Sequence, residues 1–120
     1  MAILILDDDD DLRATLGDLF ALIGEQTVGA ASLPQLIGLG ARALECTLAI
    51  LDVNLGPHQA SGVDAYSWLT GRHFAGRIVF LTGHGRTHPL VASARALGVR
   101  VYEKPVGAQE LERLAAGEAP

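Results

Sequence analysis

The stretch Leu48-Ala49-Ile50-Leu51 is apolar at every position and stops at a carboxylate, Asp52, before the chain passes through Val53-Asn54-Leu55 to the breaker pair Gly56-Pro57. Side chains in a strand point alternately to its two faces, so an uninterrupted apolar run implies that both faces are covered. Sheets of that kind are parallel, lie between layers of helices, and return from strand to strand through helical crossovers. The run therefore predicts a layered α/β domain with Asp52 at the carboxyl tip of a central strand.

Runs of similar character recur along the chain. Ala2-Ile3-Leu4-Ile5-Leu6 ends in five consecutive acids, Asp7 to Asp11, and a weaker strand lies within Gln26 to Ala31. Thr47 to Leu51 is the central strand, Arg77-Ile78-Val79-Phe80-Leu81 ends at Thr82, and Val99 to Glu103 is a short last strand ended by Lys104-Pro105. Between them the apolar spacing becomes helical. Leu12, Leu16, Leu19, Phe20 and Ile23 form one stripe, closed by Gly24; Ser32 caps a helix carrying Leu33, Leu36, Ile37 and Leu44, with Pro34 tolerated in its first turn. A helix from near Gly62 is expected to turn Val63, Tyr66 and Leu69 inward. Leu90, Val91, Ala94 and Leu97 form another, stopped by Gly98, and Gln109 to Ala116 a last one with Leu111 and Leu114 inward. Five strands alternating with five helices predict one doubly wound domain over residues 1–120.

Charge and cysteine usage exclude several classes. The net charge is −5 with acids bunched near the N-terminus, whereas a nucleic-acid surface needs clustered Lys and Arg, so direct nucleic-acid contact is not expected. Cys46 is the one cysteine, which leaves no disulfide and no thiolate metal cluster and points to a small buried apolar residue. No apolar run approaches the ~20 residues of a membrane helix, and no basic leader precedes one; the expected location is the cytoplasm, without membrane contact.

Ligands of parallel sheets bind at the carboxyl ends of the strands. Asp7 and Asp8, Asp52, Thr82 and Lys104 each follow a predicted strand, on four different strands, so the topology gathers three carboxylates, a hydroxyl and an ammonium at one edge. Carboxylates so crowded repel one another unless their pKa values rise or a cation joins them. An all-oxygen donor set favours Mg²⁺, which keeps several waters and shares its remaining positions with phosphate. Asp52 then fits a nucleophile forming an aspartyl phosphate, with Lys104 and Thr82 as donors to phosphoryl oxygens.

In these residues the sequence resembles the receiver domain of bacterial response regulators, over almost its whole length. Ile3-Leu4-Ile5-Leu6-Asp7-Asp8-Asp9, Leu51-Asp52-Val53-Asn54-Leu55, Phe80-Leu81-Thr82-Gly83-His84-Gly85 and Glu103-Lys104-Pro105 carry the resemblance, in family order and at similar spacing. The resemblance implies a flavodoxin-like, CheY-like sheet of strand order 2-1-3-4-5. It implies that Asp52 accepts phosphate from a sensor histidine kinase or a histidine phosphotransfer protein and becomes 4-aspartylphosphate. Asp8 would bind Mg²⁺ directly, Asp7 through water and Asn54 through its backbone carbonyl, with Asp52 in the same metal set. Thr82 would close on the phosphoryl group, Gly83 would leave access and Lys104 would pair with the phosphate. A downstream protein target, and a monomer or weak homodimer, follow from the same likeness; such a domain catalyses only its own phosphorylation and dephosphorylation. The glycine expected after the phosphoacceptor falls at Gly62, which makes the loop Gly56 to Ser61 about two residues longer than is usual in the family. Either Val101 or Tyr102 occupies the aromatic switch position.

Plainer readings apply to the other candidates. Asp9, Asp10 and Asp11 are read as a solvated helix cap, and His58, His73 and His88 as surface residues without metal-pair spacing. His84 stands where it could touch the phosphoryl environment. Tyr66 and Trp68 are read as core or helix surface, and the Gly83-His84-Gly85 run follows no nucleotide-binding pattern. Two alternatives remain beside the phosphorylation switch: a degenerate receiver that binds partners without phosphorylation, and a small aspartyl-phosphate hydrolase, for which the loops are short. Lys104-Pro105 is expected to be cis.

Overall fold

The computed structural model describes residues 2–57, 59–83 and 88–117. Five parallel strands, β1 (Ala2–Leu6), β2 (Gln26–Ala30), β3 (Leu48–Asp52), β4 (Arg77–Thr82) and β5 (Val101–Glu103), lie in the order β2-β1-β3-β4-β5. All five residues of β3 are buried, as an uninterrupted apolar strand with a single terminal carboxylate requires. The chain reverses its direction of winding between β1 and β3, and the carboxyl ends of those two strands open the crevice where ligands bind in such sheets.

The described residues form six helices where five were expected: α1 (Asp10–Leu22), α2 (Leu33–Leu39), α3 (Ala41–Leu44), α4 (Gly62–Gly71), α5 (Pro89–Ala96) and α6 (Ala108–Ala116). The additional helix arises at Gly40, whose φ of +57° ends α2 and starts α3, so the segment read as one helix from Ser32 to Leu44 is bent into two. Ser32 caps α2 as expected, its hydroxyl accepting from the Gln35 N–H.

Two cores cover the two faces of the sheet. Leu16 and Phe20 of α1 and Leu111 and Leu114 of α6 pack on Ile3, Ile5, Leu48, Ile50, Val79, Leu81 and Tyr102. On the other face Leu36, Ala43, Ala65, Leu69 and Ala94, from α2 to α5, pack on Leu4, Leu6, Ala49, Leu51 and Phe80. Arg77, at the start of β4, donates to the Leu114 carbonyl and ties α6 to the sheet. Strand by strand the assignment to the two cores alternates, and this alternation positions the charged tips described below.

Several expected core positions are corrected by this packing. Ile23, Ile37 and Leu97 are exposed, Ile23 and Leu97 because each follows the last helical residue of its element and turns away from the sheet. The inward stripe of α4 is Gly62, Ala65 and Leu69, while Val63 and Tyr66 lie half-buried at its flank. A side-chain carbon on Gly62 would stand 2.2 Å from the Asp52 carbonyl oxygen, so α4 approaches β3 too closely for anything larger than glycine at its first residue. No described helix is long and apolar enough to cross a membrane.

Candidate functional site

Alternation along the strands decides which tips meet. Ile3 and Ile5, Leu48 and Ile50, and Tyr102 face the α1/α6 layer. Continuing by twos places Asp7, Asp52 and Lys104 on that same side of the sheet. The geometry agrees: the Lys104 Nζ lies 2.9 Å from Asp7 Oδ2 and 3.2 Å from Asp52 Oδ2. One ammonium thus bridges two carboxylates that belong to neighbouring strands. Thr82 has the other parity, that of Phe80, and is held in the sheet edge where its carbonyl accepts from the Lys104 N–H at 2.8 Å.

Burial makes this arrangement costly and therefore informative. Asp7 and Thr82 are 1% exposed and Asp52 4%, and buried carboxylates are rare unless paired or coordinated. Burial raises the Asp52 pKa, the neighbouring Asp7 carboxylate raises it further, and the Lys104 ammonium and the Asn54 N–H pull it back only in part, leaving it at about 7. Burial depresses the Lys104 ammonium, but its pairing with Asp7 and Asp52 outweighs this, and its pKa ends above the ordinary value. Two carboxylates sharing one cation leave Asp52 short of positive charge.

Local hydrogen bonds fix the tips. Asp7 Oδ1 accepts from the Asp9 N–H at 2.9 Å, and Asp9 in turn caps α1 by accepting from the Leu12 N–H. Asp52 Oδ1 accepts from the Asn54 N–H at 3.3 Å, and Asn54 Oδ1 accepts from the Gly56 N–H at 3.0 Å. The Lys104-Pro105 peptide is cis, as the sequence led us to expect.

The donor set suits a divalent cation. Carboxylate oxygens of Asp7, Asp8 and Asp52 all lie within 4.8 Å of one another, with Asp8 exposed and the other two buried. Ligands of a single Mg²⁺, bound at ~2.1 Å, stand roughly 3–4 Å apart, so a small contraction or one bridging water would bring all three to one ion. Asp7 Oδ2 is buried and, among the described residues, accepts no well-directed hydrogen bond although it faces the Lys104 ammonium, so it retains lone-pair capacity for a cation or its water. Oxygen donors of this kind suit a hard cation.

Arg13 escaped the sequence reading. Its guanidinium donates to the Asp7 carbonyl at 2.8 Å and pairs with Asp10 at 2.7 Å, and its stem lies on Gly29, where a side-chain carbon would meet Arg13 Cδ at 3.1 Å. It braces the loop that presents Asp7 and Asp8; an acid three residues before an Arg at a helix start was the available signal. His88, read as a surface residue, caps α5 by accepting from the Leu90 N–H through Nδ1 and is half-buried. Trp68 and Tyr66 keep the plain reading: Arg72 stacks over Trp68 at 5.3 Å and Tyr66 leans on Phe80 with ring centres 5.9 Å apart. Cys46 is buried and free, and burial pushes its thiol pKa up. His58 and His84 lie outside the described residues. Val101 packs in the core on Thr82's side and Tyr102 in the opposite one, so the residue beneath Thr82's face is the aliphatic Val101.

Comparison with known proteins follows the same lines. The sequence matches, over residues 3–116, the family described as "Response regulator receiver domain". Among solved structures, the receiver domain of NtrX from Brucella abortus is 26% identical, with a TM-score of 0.79 and coverage of 96% of this chain and 95% of that one. NtrX from the same organism in complex with ADP matches with a TM-score of 0.80 at 26% identity over 97% of this chain, which spans 26% of that longer one. The signal receiver domain of a Luxo repressor protein from Vibrio parahaemolyticus shares the fold at 22% identity, with a TM-score of 0.77 over 96% of this chain and 86% of that one. No curated protein sequence gives a significant match.

Proposed function

This chain belongs to the response regulator receiver domain family, and on that premise we propose that it is a phosphorylation switch whose acceptor is Asp52. A phosphohistidine on a sensor kinase or a histidine phosphotransfer protein is the proposed donor. The observation that carries the reading is a buried carboxylate at the tip of the central strand, 3.2 Å from the Lys104 ammonium and within 4.8 Å of the oxygens of Asp7 and Asp8.

In the proposed transfer an Asp52 oxygen bonds to phosphorus while the phosphorus–nitrogen bond of the donor breaks, the imidazole leaving with the electron pair. Asp8, Asp7, Asp52 and the Asn54 carbonyl are the residues assigned to hold Mg²⁺, which when bound would neutralise charge on the phosphoryl oxygens. Lys104 moves from its shared carboxylates toward a phosphoryl oxygen, a charge-assisted contact that suits its position between two strands. Thr82 donates its hydroxyl to another oxygen and carries the end of β4 with it. The surface altered by that movement is the one offered to a downstream protein. Val101 beneath that face is aliphatic, so the change is transmitted without an aromatic side chain at this position.

The test is to incubate the protein with a small phosphodonor and Mg²⁺ and to weigh it intact. Wild type should gain one alkali-labile phosphoryl group and lose the gain in EDTA, and Asp52→Asn should gain none while remaining folded. Phosphorylation of Asp52→Asn at the wild-type rate would show that the nucleophile is misassigned; a wild type that accepts phosphate from no donor would favour a partner-binding role without phosphorylation.

A further inference from the structure

Beyond Asn54 the loop after β3 is not used by the proposed switch, and its hydrogen bonds run outward from Asp52 in sequence. Asp52 Oδ1 accepts from the Asn54 N–H, Asn54 Oδ1 from the Gly56 N–H, and the Gly56 carbonyl from the Gln59 N–H at 3.4 Å. Gly56, at φ +107°, adopts a backbone conformation that side-chain-bearing residues avoid. These linked turns connect the Asp52 carboxylate to the backbone of Gln59. A side-chain carbon at Gly56 would touch Asp8 Oδ2 at 3.6 Å and Gln59 Cγ at 3.9 Å, so one point in space is in van der Waals reach of both side chains. Gln59 is exposed, and beyond Cγ its carboxamide has the length to span toward the solvent side of the carboxylate cluster.

From this placement we infer that Gln59 is a positioning residue for hydrolysis of the Asp52 acyl phosphate, with its carboxamide orienting the attacking water beside Asp8. The inference rests on Asp52 being the phosphoacceptor. In the step concerned the water oxygen bonds to phosphorus and the bond from phosphorus to the Asp52 oxygen breaks. Asp52 leaves with the electron pair as a carboxylate, and the water proton departs with the released inorganic phosphate or passes to solvent. A carboxamide is no base at neutral pH; its contribution is one hydrogen bond accepted from the water, with its NH₂ free to donate to a phosphoryl oxygen. The turn that presents Gln59 is anchored through Asn54 to the acceptor's own carboxylate, so the position of the amide is referenced to the reacting group.

The experiment uses the intact chain, a small acyl phosphate as donor and Mg²⁺, and compares wild type with Gln59→Met, Gln59→Ala and Gln59→Glu. The rate of phosphate gain, the rate of phosphate loss after donor removal and the Mg²⁺ affinity are measured separately. Gln59→Met keeps the bulk without the hydrogen bond and should slow loss about fivefold, the factor expected for one ordinary hydrogen bond. Gln59→Ala should do the same, Gln59→Glu should restore much of the rate by keeping an acceptor oxygen, and the two neutral variants should leave the rate of gain and the Mg²⁺ affinity near wild type. Equal lifetimes in wild type and Gln59→Met, or loss and gain slowed together with weakened Mg²⁺ binding, would overturn the inference and leave Gln59 a loop-forming residue. A wild type that never takes phosphate would instead overturn the assignment of Asp52, and this inference with it.

Discussion

Replacing Asp52 with asparagine should stabilise the metal-free domain, by an amount that depends on pH. The folded protein holds the Asp52 proton up to about pH 7, whereas an ordinary aspartic acid releases it near 3.8. A carboxyl whose pKa is raised on folding favours the folded state at low pH, and that contribution is lost as pH rises through the folded value. Above pH 7 the wild type therefore carries a buried charge that the unfolded chain holds without strain. At about 1.4 kcal/mol per pH unit the gap corresponds to a ceiling of roughly 4 kcal/mol, reduced in the variant because the asparagine forgoes the Lys104 ion pair. Lys104 keeps Asp7 as a partner at 2.9 Å, so no ammonium is stranded. We expect Asp52→Asn to gain about 1–3 kcal/mol at pH 8 in EDTA, or roughly 4–10 °C in Tm for a domain of this size. The advantage should shrink by about 2–3 kcal/mol at pH 5, where the wild-type carboxyl is already protonated. Urea and thermal unfolding at the two pH values measure both quantities. Equal stability at pH 8, or a difference that does not change with pH, would refute the argument that burial and Asp7 leave Asp52 undercompensated.

Other expectations follow from the same contacts. Mg²⁺ must displace the Asp52 proton below pH 7, so its affinity should rise about tenfold per pH unit up to that point and level above it; a titration flat from pH 6 to 8.5 would contradict the pKa of about 7. Lys104→Met removes a competing cation from Asp7 and Asp52 and should bind Mg²⁺ several-fold more tightly, on the order of fivefold, while accepting phosphate more slowly; weaker metal binding would show that Lys104 organises the cluster instead. Gly62→Ala forces a methyl into the Asp52 carbonyl and should cost about 3 kcal/mol in urea unfolding, far more than an exposed glycine replacement such as Gly38→Ala, where nothing lies within 4 Å. Tyr102→Phe deletes a buried hydroxyl without a hydrogen-bond partner among the described residues and should raise stability by about 1 kcal/mol; a loss of that size would mean the hydroxyl is bonded through water.

The sheet was legible in the sequence because its strands are buried on both faces: an apolar run ending at Asp7, Asp52 or Thr82 has few other solutions, and the polar stop marks the carboxyl edge. Helix existence was equally clear, but helix orientation was less so. In α4 the large residues Val63 and Tyr66 suggested the inner stripe, yet the close approach to β3 selects Gly62 and Ala65, a selection for small size that hydrophobic spacing does not register. Gly40 lies inside the segment read as one helix, and the break there was not legible because glycine carries no signal of which sign its φ will take. Within the site, Asp7, Asp8, Asp52 and Lys104 were readable from position alone, because topology brings strand tips together whatever their side chains. Arg13 was not, because its role depends on reaching back across a turn to the Asp7 carbonyl and lying on Gly29 of the neighbouring strand. The choice between Val101 and Tyr102 required the register of β5 against β4, in which Phe80 faces Val101 and Leu81 faces Tyr102.

The opposite parities of Asp52 and Thr82 have a further consequence. The sheet is one residue thick, and at its carboxyl edge it serves as a bulkhead: Asp7, Asp52 and Lys104 belong to the compartment under α1 and α6, Thr82 and Val101 to the compartment under α4 and α5. For the proposed switch, a replacement at Val101 is expected to alter the packing under α4 and α5 while leaving the ion-paired groups of the first compartment untouched.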